Sequence, residues 1–428
     1  MTPTMTAAER RARLARRHAL SEPAGSVAAV ADGLVALHAT DPATVYLSAA
    51  ARLAGPGTGG HATADAVDAT DAINAVDAAD AADTADAVDA VDRALYEERS
   101  VLRMLGMRRT MFVVGRGVAP LVQAGCAVDI ERTQRRLLLR HLEQTGVPDL
   151  ERWLADVEGA TVAALRARGT ARAAQLAEDE PRLRTEIVMA AGKPYESTGY
   201  ITNRVLFLLA AAGRIVRGRP GGSWLSTQYE WSPVEDWLPG GIPAADPEEA
   251  RGALLGRYLH AYGPAREADI RWWTGWTAAQ VRRALSAVGA ATVDVDGAPA
   301  FVAADDVEPA PDPRPWAALL PALDPTPMGW TDRDWFVGPH RSALFDRSGN
   351  IGPTIWCDGR IVGGWAHRRG DGSAGGEVVT RLLEDVGAER AALVATEAER
   401  LTRLLRGRLP DAVVVPRFRT PLERELSA

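Results

Sequence analysis

Lysine is nearly missing from this 428-residue chain, with Lys193 the single lysine among 49 basic residues. A GC-rich coding bias accounts for most of that skew, although arginine also suits phosphate recognition through its planar fork of donors. Cysteine is scarce too. Cys126 and Cys357 are the only two, which excludes a disulfide framework and a cysteine-rich zinc site and fits a reducing, cytoplasmic setting. No run of about 18 apolar residues occurs, and the arginine-rich start, Met1–His18, has no apolar signal core. The expectation is a soluble protein with no membrane partner. Also missing are a phosphate-cradling Gly-Lys-Ser/Thr loop, a dinucleotide glycine motif between strand and helix, His-Glu-x-x-His and Gly-x-Ser-x-Gly. The seven histidines do not cluster at metal spacings. ATP, NAD and zinc chemistry are disfavoured, and no cofactor or metal is expected.

What is present is a chain with 46% hydrophobic and 25% charged residues, enough for about three folding units, each with its own core. The net charge of -7 is misleading, because the stretch from His61 to Asp92 holds nine aspartates spaced by threes and no lysine, arginine or glutamate. Without it the chain is mildly basic. A period of three drifts around a helix and defines no buried stripe. Thr58–Asp92 therefore reads as a solvated, disordered insertion.

Elsewhere the patterning predicts helices over Ala7–His18, Ser26–Leu37 and Asp41–Leu53, the last opened by an Asp cap with proline behind it. A helix over Tyr96–Leu105, a strand over 108–114 and helices over 118–168 follow. The segment 164–206 reads as helix, turn, helix, and 214–225 as a β-hairpin with a Gly/Pro-rich tip. Helices over Asp246–Tyr262, Pro264–Trp273 and Thr277–Val288 precede a second hairpin turning at Asp296-Gly297. Three helices closed by a hairpin is the winged-helix plan. Beyond the Pro311–Pro315 linker, strands over Ala343–Asp346, Gly352–Cys357, Arg360–His367 and Ala412–Val415 suggest a small antiparallel barrel, with a helix over Ala388–Arg406. The expected architecture is α+β: three tandem winged-helix domains and a C-terminal antiparallel β-barrel. Its parts are a first winged-helix region at 1–150 carrying the insert, a second at 151–240, a third at 241–310 and the barrel at 311–428.

Double-stranded DNA is the partner such a plan implies. Arg214, Arg217 and Arg219 beside the Gly-rich tip can follow a phosphate backbone or enter the minor groove, or be merely solvated. Lys193, in Lys193-Pro194-Tyr195 at a turn, can meet a sugar-phosphate strand. Arg271-Trp272-Trp273 and Trp276 read as packing between helices. The strongest candidate for chemistry is His38-Ala39-Thr40-Asp41, where imidazole and hydroxyl can share one side of an extended tripeptide and polarise a water. The plainer reading makes Thr40 or Asp41 a helix cap with His38 packed nearby.

The segment Leu34-Val35-Ala36-Leu37-His38-Ala39-Thr40-Asp41-Pro42-Ala43-Thr44-Val45-Tyr46-Leu47-Ser48 resembles the active-site stretch of AlkZ-type winged-helix DNA glycosylases. So do Arg103-Met104-Leu105-Gly106-Met107-Arg108-Arg109-Thr110, Thr198-Gly199-Tyr200-Ile201-Thr202-Asn203-Arg204, the run from Leu319 to Trp330, and Phe345-Asp346-Arg347-Ser348-Gly349-Asn350-Ile351. The resemblance implies three tandem winged helices and a β-barrel around a DNA channel. It also implies a monomeric, monofunctional glycosylase that excises bulky N7-alkylated purines, including crosslinks, in some producers for self-resistance to an alkylating natural product. The family's catalytic motif, Gln–apolar–Gln or in its other branch Gln–apolar–Asp, falls by position on His38 and Thr40, a departure at both. Neutral His38 could take a proton from water, Thr40 is a weaker acceptor, and Asp41 could supply negative charge if it faces the channel. An ordinary imidazole in that role predicts activity falling as pH drops from about 8 to 5. The enzyme reading asks that His38 and Thr40 line a basic concave channel; a His38 buried against its own domain would instead be a structural residue. The alternative is a non-catalytic winged-helix DNA-binding protein, a regulator or lesion binder, acting with the nucleoid.

Overall fold

The computed structural model describes residues 2–53, 87–189, 192–194, 196–370 and 375–428. Helix α1 (Ala7–Arg17) starts where the Thr6 hydroxyl accepts the Glu9 amide, and α2 (Val27–Gly33) where Ser26 accepts from Ala29. Strand β1 (Leu37–His38) precedes α3 (Pro42–Ala50), which Asp41 caps with Pro42 in the first turn. The aspartate repeat lies outside the described residues except for 87–92, which are helical rather than disordered. Val88 and Val91 are buried there, so apolar contacts hold this end of the repeat.

Val101–Leu105 is strand β2, not the end of a helix, and pairs antiparallel with β3 (Met111–Gly115) in a sheet ordered β1-β3-β2. All five residues of β2 are buried, and a short run covered on both sides has no period by which to tell strand from helix. Helix α4 (Val128–Leu142) follows, then α5 (Leu150–Arg168) and α6 (Ala173–Asp179). The expected helix–turn–helix over 164–206 is interrupted by a hairpin, β4 (Glu186–Met189) and β5 (Ser197–Tyr200), ahead of α7 (Thr202–Ala211). The next hairpin is longer than the sequence suggests: β6 (Ile215–Pro220) pairs with β7 (Tyr229–Pro233), and 223–225 belong to its loop. Helices α8 (Pro247–Tyr262), α9 (Glu267–Thr274) and α10 (Ala278–Ala287) lead to hairpin β8 (Ala291–Val295) and β9 (Ala298–Val302). Thr277 caps α10, as its sequence predicts.

The C-terminal part is a four-stranded antiparallel meander, β10 (Ala317–Leu320), β11 (Thr354–Cys357), β12 (Arg360–Arg368) and β13 (Glu377–Leu382). The expected barrel is not closed among the described residues: β10 and β13 remain at the edges, and helix α11 (Gly387–Arg408) packs against both. Four strands are too few to wrap a filled interior, so a helix covers the sheet instead. Residues 341–344 are a short helix and Phe345 only bridges Ile351. The stretch 412–415 is not a strand either. The Val414 amide donates to His367 Nδ1, a side-chain partner in place of a ladder. A last helix, α12 (Pro421–Leu426), packs on β12. Among the described residues no helix is long and apolar enough to cross a membrane.

Candidate functional site

Val35 leaves α2 with a positive φ of 64° and turns the chain into β1, where Leu37 pairs with Val113 and His38 with Phe112. Alternation along the strand sends His38 to the side opposite Leu37. Its ring meets the Phe112 edge with centroids 5.4 Å apart, beside a cavity of about 10 Å³ shared with Ala36, Arg108, Tyr262, Trp273, Pro325 and Met328. That volume suits one water molecule. Two polar atoms here are buried without a hydrogen-bond partner, His38 Nδ1 and Arg108 Nε. Burial, aided by the Arg108 cation and opposed by Asp324, pushes the His38 imidazole down to about 3, so it is neutral at physiological pH. Arg108, whose guanidinium lies 4.1 Å over the Trp272 ring, is itself pulled down to about 10 by burial. A neutral acceptor and a cationic donor facing one water-sized space can hold a water by both its hydrogen and its oxygen.

The tripeptide does not act as a unit. Thr40 is half-buried and does not line this cavity. Asp41 is engaged at both oxygens, Oδ1 by the Ala43 amide at 3.1 Å and Oδ2 by the Arg417 amide at 3.0 Å. Burial raises its pKa against those two bonds. It lies by a separate small cavity with Thr44, Trp365 and His367, occupied as the cap of α3. Nor is His38 in an open channel, being 6% exposed beneath Phe112.

The basic residues are equally dispersed. Lys193 is exposed at the tip of β4–β5, while Tyr195 lies outside the described residues. Arg214 is half-buried just ahead of β6, its carbonyl accepting the Val234 amide. Arg217 lies over the Tyr229 and Trp231 rings, and burial lowers its pKa. Arg219 is exposed but bonds Asp92 at 2.7 Å and covers Tyr96. The expected trio of free guanidinium groups at a hairpin tip is thus not formed. The tip is 221–228, and these arginines sit below it, against aromatic rings and an aspartate.

Sequence reasoning missed the turn Gly106–Thr110 as a site. Arg108 and Arg109 both have positive φ, 54° and 62°, a region costly for side-chain-bearing residues. The turn sends Arg108 to His38 and Arg109 to an open cleft of about 400 Å³ with Arg204, Tyr200 and Phe207. Adjacent arginines between two apolar runs were the available signal.

Comparison with known proteins bears on this arrangement. A family model described as "DNA glycosylase AlkZ-like" matches residues 83–404, a span that begins after His38. A curated relative, an interstrand DNA cross-link repair glycosylase of Streptomyces sahachiroi, is 34% identical over 139 residues. That match covers 30% of this chain and 36% of the relative, so the chain spans about a third of that relative's length. The solved structure of Streptomyces sahachiroi DNA glycosylase AlkZ is similar with a TM-score of 0.68 at 21% identity, over 95% of this chain and 99% of that one. At that identity the likeness speaks for the fold.

Proposed function

We propose, since this chain belongs to the AlkZ-like DNA glycosylase family, that it is a monofunctional DNA glycosylase acting on N7-alkylated purines in duplex DNA, bulky adducts and crosslinks included. The carrying observation is that neutral His38, its Nδ1 unpartnered, lines a space for one water together with Arg108. An N7-alkylated purine already bears a positive charge. Its N9–C1′ bond can break with the electron pair returning to the base, and no general acid is needed. Water then attacks the oxocarbenium-like C1′ and gives its proton to His38. Thr40 and Asp41 take no part in this step, since neither lines the cavity and Asp41 is held as the cap of α3. The wider reading takes the helix-then-hairpin units as three winged helices over 1–150, 151–240 and 241–310. The protein acts as a cytoplasmic, nucleoid-associated monomer, with self-resistance to an alkylating natural product as its purpose.

The test is release of free base, with abasic sites counted, from duplexes carrying N7-methylguanine or a bulky N7 adduct. Wild type is expected to release base, and His38→Ala to lose roughly 100-fold or more of the rate. Because His38 stays neutral to about 3, the rate should be level from pH 8 to 5 and fall only below about 4. This replaces the fall across pH 8 to 5 that an ordinary imidazole predicts. One geometric fact favours a second reading, non-catalytic DNA binding: His38 is buried, with Thr40 and Asp41 placed apart from it. DNA binding with no base released from either substrate would establish that reading instead.

A further inference from the structure

Tyr200, the last residue of β5, is 55% exposed and stands between two clefts. On one side, the cleft of about 400 Å³ carries Arg109, Arg204, Asn203 and Phe207. On the other, a cleft of about 340 Å³ carries Arg184, Thr202 and again Asn203. Many arginines of this protein are tied to carboxylates. Among the described residues Arg109, Arg184 and Arg204 form no ion pair; Arg109 lies over the Phe207 ring and Arg204 bonds the Met189 sulfur. Glu186 lies opposite Tyr200 in the β4–β5 register but lines neither cleft. The field of these cations reaches His141, where burial first and then Arg204 and Arg140 lower the pKa and favour the neutral ring. An exposed phenol flanked by unpaired guanidinium groups matches the two faces of a nucleotide, a stackable base and an anionic phosphodiester.

We propose that these two clefts, with the Tyr200 ring between them, form a track for one DNA strand, with phosphodiesters on Arg109, Arg204 and Arg184 and a base against Tyr200. The track deepens the reading of this chain as a DNA-acting protein and rests on it. The strained Arg108–Arg109 turn then couples two tasks, since one residue faces the His38 cavity and its neighbour grips the strand.

The test is fluorescence anisotropy of a labelled, undamaged duplex, and of its single strand, over a salt series. Arg109→Asn with Arg204→Gln is the first variant, because asparagine tolerates the left-handed backbone at 109. It should weaken binding about tenfold or more and flatten log K against log salt by about 0.9 per lost contact for duplex, about 0.7 for single strand. Tyr200→Ala should weaken binding about fivefold or more with the slope intact, and Tyr200→Phe should restore it. Arg109→Lys with Arg204→Lys, which keeps the charge, should keep the wild-type slope and so separates charge loss from misfolding. Wild-type affinity and slope in the first variant would overturn the track, as would failure of wild type to bind either DNA. Binding without base release sinks the glycosylase reading alone, and release with an unaffected double variant sinks the track alone.

Discussion

His38 and His18 are both held neutral by burial, each pushed down to about 3. The unfolded chain takes up these protons as pH falls through about 6.5, whereas the folded chain does so only near 3. Their contribution to stability is therefore full above about pH 6.5 and lost as pH falls from there toward 3. His18 has partners at both nitrogens, Thr326 at 2.8 Å and the Ala261 carbonyl at 3.0 Å; His38 has none at Nδ1. Urea unfolding of His38→Gln should show a shallower pH dependence between pH 6 and 4, by up to about 1.4 kcal/mol per pH unit, one proton's worth. An unchanged slope would mean that His38 titrates normally in the folded protein. Sequence picked out His38 from its place between two helices. It could not supply Arg108, some 70 residues away, which only the β1–β3 pairing brings alongside.

Among elements, a buried ion pair joins the end of α3 to the segment leading out of β10. Arg52 and Asp324 form an ion pair at 2.6 Å with both side chains fully buried. Ser48 donates to the same carboxylate at 2.6 Å, and Arg52 also donates to Thr326 and to the His18 carbonyl. Such a pair adds little over a well-packed apolar replacement, yet removing one member strands the other. Asp324→Ala is expected to cost about 3–5 kcal/mol in denaturant unfolding, and Asp324→Leu with Arg52→Met considerably less. Local chemistry made several elements legible in advance. Asp296-Gly297 turns a hairpin because both residues take positive φ, 54° and 77°, and Asp41 and Thr277 start helices as caps. Strand β2 was hidden by its uniform burial. The β4–β5 hairpin was hidden because only Ile187 of its paired residues is fully buried, so no alternation shows.

For the whole molecule, units that look separate along the sequence interlock in space. Met5 is buried among Val293, Val295, Ala300 and Val302, and its amide bonds the Asp294 carbonyl at 2.8 Å. From α1, Arg13 and Arg17 pair with Asp306, and Arg11 donates to the Trp335 carbonyl. Composition and spacing gave the order of these elements; long-range contacts of this kind leave no local mark, nor did the sheet's open edges.

The clasp of α1 across both flanks of the exposed 311–315 linker gives this protein the character of a split pair. A chain nicked in that linker should still elute as a single particle at neutral pH. Separately made 1–310 and 311–428 should each be poorly structured, since the first strands Arg52 and the second strands Asp324. Mixed together they should regain the melting transition of the intact chain, making the linker a place for conditional reassembly.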